Sequence, residues 1–142
     1  RPKGWASAAE ARAAMESMAP LISILLTTND DEKLLFGHRR TIDIFSHWRN
    51  AGVGEVVVKL GVEGAAVQTS THGVQVGVPD VVRVIDSTGA GDSFNAAYLA
   101  ARLRGGSISQ AADAGNVLAG AVVQVPGAIL PPGRMPQLLF GT

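Results

Sequence analysis

Apolar and polar residues alternate along this chain in two rhythms, one helical and one strand-like. Over residues 7–18, alanines and methionines are interleaved with Glu10, Arg12 and Glu16. Ser7 stands three positions before Glu10, the spacing of a capping box that opens a helix. Residues 21–27 are a short, nearly continuous apolar run that reads as a buried strand. Short helices are expected over 30–36 and 41–50, the second turning Ile42, Ile44, Phe45 and Trp48 mostly inward. Val56, Val57 and Val58 form a second buried strand, which a turn over 61–64 ends. Segments 65–69 and 74–78 read as a hairpin around Thr71, His72 and Gly73. Val81, Val82, Val84 and Ile85 suggest a strand over 81–85. A helix follows over 93–104 and stops at Gly105 and Gly106. The last helix spans 107–123, again with a capping-box pair in Ser107 and Gln110, and Gly127, Pro131, Pro132 and Pro136 mark an irregular tail.

Buried strands alternating with amphipathic helices predict an α/β fold, a mostly parallel sheet flanked by helices. Ligands of such sheets sit beyond the carboxyl ends of the strands. Three polar stretches fall at those ends, beginning at Thr27, Lys59 and Asp86. Their common placement points to one active face.

Bulk composition narrows the function classes. The chain has 142 residues, about one ordinary domain, and 46% of them are hydrophobic, enough for a real core. Net charge is zero with no basic block, so neither nucleic acid nor an anionic membrane is an expected partner. Cysteine is absent, which excludes disulfides and thiolate metal sites and fits a cytoplasmic location. No apolar run approaches the roughly 20 residues that span a bilayer, and no signal peptide is visible. His38, His47 and His72 are scattered without metal-ligand spacing and read as surface or partly packed histidines. The chain opens without Met on Arg1, Pro2, Lys3, Gly4 and Trp5, as if from the middle of a longer protein.

The richest chemistry lies over residues 84–95, VIDSTGAGDSFN. Glycines sit where the expected strand hands over to a helix. Amides there lack intrahelical partners, and the helix dipole adds partial positive charge, so phosphate binds readily. Asp92 would repel that anion, so it suits a different role, that of taking a proton from a hydroxyl as it attacks phosphorus. The plainer alternative is that Asp92 caps a helix from Ser93 onward and the glycines make a tight turn. Lys59, Leu60, Gly61, Val62, Glu63 and Gly64 form a second glycine turn. It suits close backbone approach to a nucleotide, or it simply leads into the hairpin.

Residues 86–94 resemble the second signature of the ribokinase-like (PfkB) sugar kinases, D-[ST]-[ST]-G-A-G-D-x-[FW], without a departure. The resemblance runs from R-P-x-x-W at the start to V-P-G-A near the end. It implies a three-layer ribokinase-like fold of which residues 1–142 are the C-terminal nucleotide-binding and catalytic part, with the N-terminal half and lid absent. It implies ATP and Mg²⁺ as cofactors, a small-molecule sugar or sugar acid as substrate, Asp92 as catalytic base, and Gly89, Ala90 and Gly91 as the anion hole. ATP would also contact the turn from Lys59 to Gly64, with Asn116 beside the adenine; the alternative for Asn116 is an exposed helix position. Asn29 and Glu32 match an N-x-x-E pattern whose Glu organises Mg²⁺, mostly through water, against the alternative of acids placed on a helix dipole. Asp86 is either a structural cap or a ligand for a monovalent cation such as K⁺. Arg1 matches a substrate-binding Arg of the 2-keto-3-deoxygluconate kinases, the branch this chain resembles most, although Gly4 stands where Leu is common. The expected reaction is phosphorylation of that sugar acid. The alternatives are a fructokinase or ribokinase-like enzyme acting on a neutral sugar, or a nucleotide-binding piece without catalysis. Lid-mediated homo-oligomers occur in such kinases, and the sequence leaves the oligomeric state open.

Overall fold

A computed structural model describes residues 4–79 and 83–138. The chain divides into two compact units, Arg1–Lys59 with Gln68–Gly73, and Leu60–Val67 with Val74–Thr142.

The first unit opens with α1 (Ala8–Met18). Its N-cap Ser7 accepts from the Glu10 amide at 3.1 Å, and the Glu10 carboxylate reaches back to the Ala6 amide at 2.9 Å. The next strand, β1 (Ile24–Thr28), starts three residues later than its apolar run suggests. Pro20 sits in a 3₁₀ turn over Ala19–Leu21, and that turn leaves Leu21 86% exposed. Thr28 then caps α2 (Asn29–Phe36), accepting from the Asp31 amide at 3.0 Å, and Gly37 ends it. In α3 (Thr41–Asn50) Ile44 and Trp48 are buried as expected, but Ile42 faces outward. The strand β2 (Glu55–Lys59) pairs in parallel with β1, in register from Ile24 opposite Glu55 to Thr28 opposite Lys59. Val56, Val57 and Val58 are fully buried, as their unbroken apolar run requires.

Two further strands, β3 (Ala65–Gln68) and β4 (Gly73–Val76), lie mostly in the second unit, and the turn between them, which the Thr69 amide closes on the His72 carbonyl at 2.8 Å, is counted with the first. The strands belong to a mixed sheet in which β1 and β2 are the parallel pair. Helices α4 (Ala90–Leu103) and α5 (Ile108–Val122) pack on each other. Phe94, Ala97, Tyr98 and Ala101 recur on the buried face of α4, with the Phe94 and Tyr98 rings stacked at 5.9 Å. Small residues Ala111, Ala112, Ala114 and Gly115 are buried on α5, Gly115 against the Phe94 ring, and the capping box of Ser107 and Gln110 is formed as read from sequence.

Two expectations change here. The strand expected over 81–85 is not seen: Val81 and Val82 lie outside the described residues, and Arg83, Val84 and Ile85 belong to no strand. The Ile85 and Asp86 amides instead donate to the Val123 carbonyl at the end of α5, at 2.7 and 3.2 Å. Without a ladder partner among the described residues, those amides take the nearest unpaired carbonyl. The helix expected from Ser93 begins three residues earlier, at Ala90. No described helix is long and apolar enough to cross a membrane.

Candidate active site

Gly89 is the N-cap of α4 and takes φ +77, a left-handed conformation that favours glycine. A Cβ there would lie 2.6 Å from the Ala128 Cβ, so the turn also rests directly on the chain at Ala128. The Ala90 amide turns back to the Ser87 carbonyl at 3.2 Å, and the Ser93 amide closes the first helical turn on Gly89 at 2.9 Å. Gly91 and Asp92 therefore carry the first-turn amides that have no helical carbonyl to bind, at the positive end of the dipole. Both residues are exposed.

Asp92 is the third residue of the helix, and the N-cap position has no side-chain hydrogen bond. The capping alternative for Asp92 is thereby excluded. Asp92 is thus an exposed acid on the same first turn as the orphan amides. Asp86 does the bracing instead. One of its oxygens accepts from the Thr88 amide at 2.9 Å and the other from the Gly127 amide at 2.9 Å. The Thr88 side chain and amide, with the Gly127 amide, hold its carboxyl below the usual carboxylate range. Asp86 and Gly89 thus both tie the loop before α4 to Gly127 and Ala128. Sequence reasoning does not reach Gly127 and Ala128 as site residues, although the Pro-Gly step after α5 is a visible signal for a tight turn.

The second glycine turn lies in the same unit. The Leu60 amide donates to the Gly64 carbonyl at 2.8 Å, and the Gly64 amide to Gly61 at 3.1 Å, leaving Gly61, Val62 and Glu63 exposed on a single 3₁₀ turn. Gly64 has φ +89, and a Cβ on it would overlap the Val76 carbonyl oxygen and come within 2.9 Å of Gly77. Asn116, on α5, is not exposed, as one reading of the sequence allowed. It is 3% exposed, and its side-chain amide donates to the Val76 carbonyl at 2.9 Å and the Gly77 carbonyl at 3.1 Å.

Lys59 and Glu32 belong to the other unit. Lys59 ends β2 level with Thr28, the cap of α2. Glu32 is 2% exposed. Its Oε1 accepts from the Thr27 hydroxyl at 2.9 Å and the Trp48 indole at 2.8 Å, and its Oε2 meets His38 Nδ1 at 2.9 Å. A carboxylate so enclosed does not fit a direct Mg²⁺ ligand, nor an exposed acid on a helix dipole. No group of three His, Cys, Asp or Glu suited to a metal is gathered among the described residues. His38 and His47 are packed, their rings 4.9 Å apart against Phe36 and Trp48, while His72 is exposed. Arg1 lies outside the described residues.

The structure thus gathers Leu60, Gly61, Val62, Glu63, Gly64, Asp86, Gly89, Ala90, Gly91, Asp92 and Asn116 in one compact unit, and leaves Lys59 and Glu32 in the other. A dipole-backed amide pair on one turn with an exposed carboxylate can hold a terminal phosphate and accept a proton next to it.

Known proteins carry the same arrangement of sequence and fold. The 2-dehydro-3-deoxygluconokinase of Escherichia coli K12 is 44% identical over 140 residues, covering 96% of this chain and 45% of that protein. Aminoimidazole riboside kinase from Salmonella enterica, solved with aminoimidazole riboside and an ATP analog, superposes at a TM-score of 0.80 with 27% identity, covering 90% of this chain and 44% of that one. A protein described as a ribokinase II from E. coli, in complex with ATP and Mg²⁺, gives 0.75 with 28% identity over 84% of this chain and 39% of its own. The chain spans about half the length of the curated relatives it matches. The family model for pfkB family carbohydrate kinases matches residues 1–134, and with the fold and the turn at α4 it places this chain in that family.

Proposed function

We propose that the protein carrying this chain phosphorylates a sugar-acid hydroxyl from ATP, with 2-keto-3-deoxygluconate going to its 6-phosphate. The observation that carries this reading is Asp92, exposed on the first turn of α4 with two orphan amides and excused from capping. The 44% identity to the E. coli 2-dehydro-3-deoxygluconokinase supports the choice of sugar acid.

The steps follow from this chain's residues. Asp92 takes the proton of the substrate hydroxyl as its oxygen bonds to the terminal phosphorus of ATP. The bond from that phosphorus to the bridging oxygen breaks, and ADP leaves. The Gly91 and Asp92 amides face charge developing on the transferred group, where preorganised donors contribute most. Gly89 sets the turn, and the turn at 60–64 borders the rest of the nucleotide. Lys59 and Arg1 keep the roles the family resemblance gives them, Arg1 toward the substrate carboxylate. Mg²⁺, when bound with ATP, supplies positive charge to the phosphates; no step here runs through Glu32, and none needs a monovalent cation at Asp86.

The test is Asp92→Asn in the whole protein. Turnover falls by about 10²–10⁴ while ATP affinity is largely kept. Unchanged kcat would remove Asp92 from the chemistry. A panel of 2-keto-3-deoxygluconate, fructose and ribose with ATP decides the substrate. Preference for a neutral sugar would overturn the sugar acid but keep the kinase, and ATP binding without turnover on any of them would favour a nucleotide-binding role.

A further inference from the structure

We propose that Asn116 is a positioning residue for the nucleotide turn at residues 60–64, acting through the Val76 and Gly77 carbonyls and not by touching the nucleotide. This rests on the ATP-binding role proposed for that turn. Two observations meet at the same dipeptide. From α5, the buried side-chain amide of Asn116 donates to the Val76 carbonyl at 2.9 Å and the Gly77 carbonyl at 3.1 Å, some forty residues away in sequence. Gly64 also packs so closely on that segment that a Cβ would overlap the Val76 oxygen and come within 2.9 Å of Gly77.

The side-chain amide has only one sensible orientation. Reversed, its oxygen would face two carbonyl oxygens, so both N–H groups are committed to the backbone. They are not available to a base edge. Asn116 holds Val76 and Gly77, and Val76 and Gly77 form the surface on which Gly64 rests. The internal bonds Leu60 to Gly64 and Gly64 to Gly61 pass that position along the turn. The placement of Gly61, Val62 and Glu63, the exposed part of the turn, is therefore set from inside the fold by a residue on α5.

The test is kinetic and uses the whole protein with ATP and ITP, which differ only at the base. Asn116→Ser removes the double donor at small cost in volume. It raises KM for ATP by about tenfold, the loss expected for about one net hydrogen bond, with a much smaller change in kcat and in the sugar KM. KM for ITP rises by the same factor, because the turn moves and no base contact is lost. Gly64→Ala, which disturbs the same Val76–Gly77 segment, produces the same pattern, and the two changes together cost less than their sum. An altered ratio of ATP to ITP would assign Asn116 to the adenine and overturn the proposal. So would additive effects of the two variants, or a fall in stability with KM unchanged. Amide exchange over residues 60–64 gives a readout independent of the reaction: it quickens in Asn116→Ser, and unchanged exchange there overturns the positioning role. An inactive wild type with that quickened exchange would instead count against the kinase reading alone.

Discussion

The Glu32 carboxylate receives donors from Thr27 and Trp48 and meets His38, all while 2% exposed. Removing it leaves an indole N–H and a hydroxyl without partners in the interior, which costs far more than the net value of each bond. Glu32→Ala is therefore expected to lower stability by about 3 kcal/mol, read from the urea midpoint, with no change in the Mg²⁺ dependence of any turnover that remains. A variant of normal stability with a raised Mg²⁺ requirement would return Glu32 to the metal. The sequence could not show this burial. Asp30 and Asp31, its neighbours, are exposed, and the cluster reads as a solvated acidic helix start. The decisive partner, Trp48, is sixteen positions away. Asn116 was hidden for the same reason, since its partners lie on β4 and just beyond it. The place of Asp92 on the first turn of α4 was legible because it depends on Gly89, three residues away.

At the scale of elements, local signals served well; pairing signals served for the parallel pair β1 and β2 and for the hairpin of β3 and β4, and did not at 81–85. Both Ser-capped helices begin where the sequence says, because a cap is chosen within four residues. The apolar run at 81–85 carries no such local guarantee: a strand needs a partner, and the described part, Arg83, Val84 and Ile85, has none. The α4–α5 contact is a matter of shape. A Cβ on Gly115 would sit 2.6 Å from two carbons of the Phe94 ring. Alanine would gain about 1 kcal/mol in helix propensity at that position. The overpacking against a buried ring costs about 1–3 kcal/mol and outweighs it. Gly115→Ala is accordingly expected to lower the Tm, and a raised Tm would mean that Phe94 moves aside freely.

Over the whole chain, most of the residues proposed to meet ATP fall in the unit of Leu60–Val67 and Val74–Thr142, while α1, α2 and α3 belong to the other. That division is a prediction about where binding energy is felt. A ligand that binds only the folded form slows the openings that would break its site, and leaves alone openings elsewhere. At ten times its Kd, ATP stabilises the form it binds by about 1.4 kcal/mol, so exchange through those openings slows by about tenfold. In the whole protein, ATP should protect amides over residues 60–64 and through α4, with Gly91 and Asp92 responding as direct donors to phosphate. The amides of α1 and α3 should exchange at the same rate with and without nucleotide. Protection centred on residues 29–38 would move the phosphate site to Glu32 and its neighbours, against the enclosure of that carboxylate. Uniform protection across α1, α3 and α4 would mean that the two units open together, and the nucleotide would then be reporting global stability and not the place where it binds.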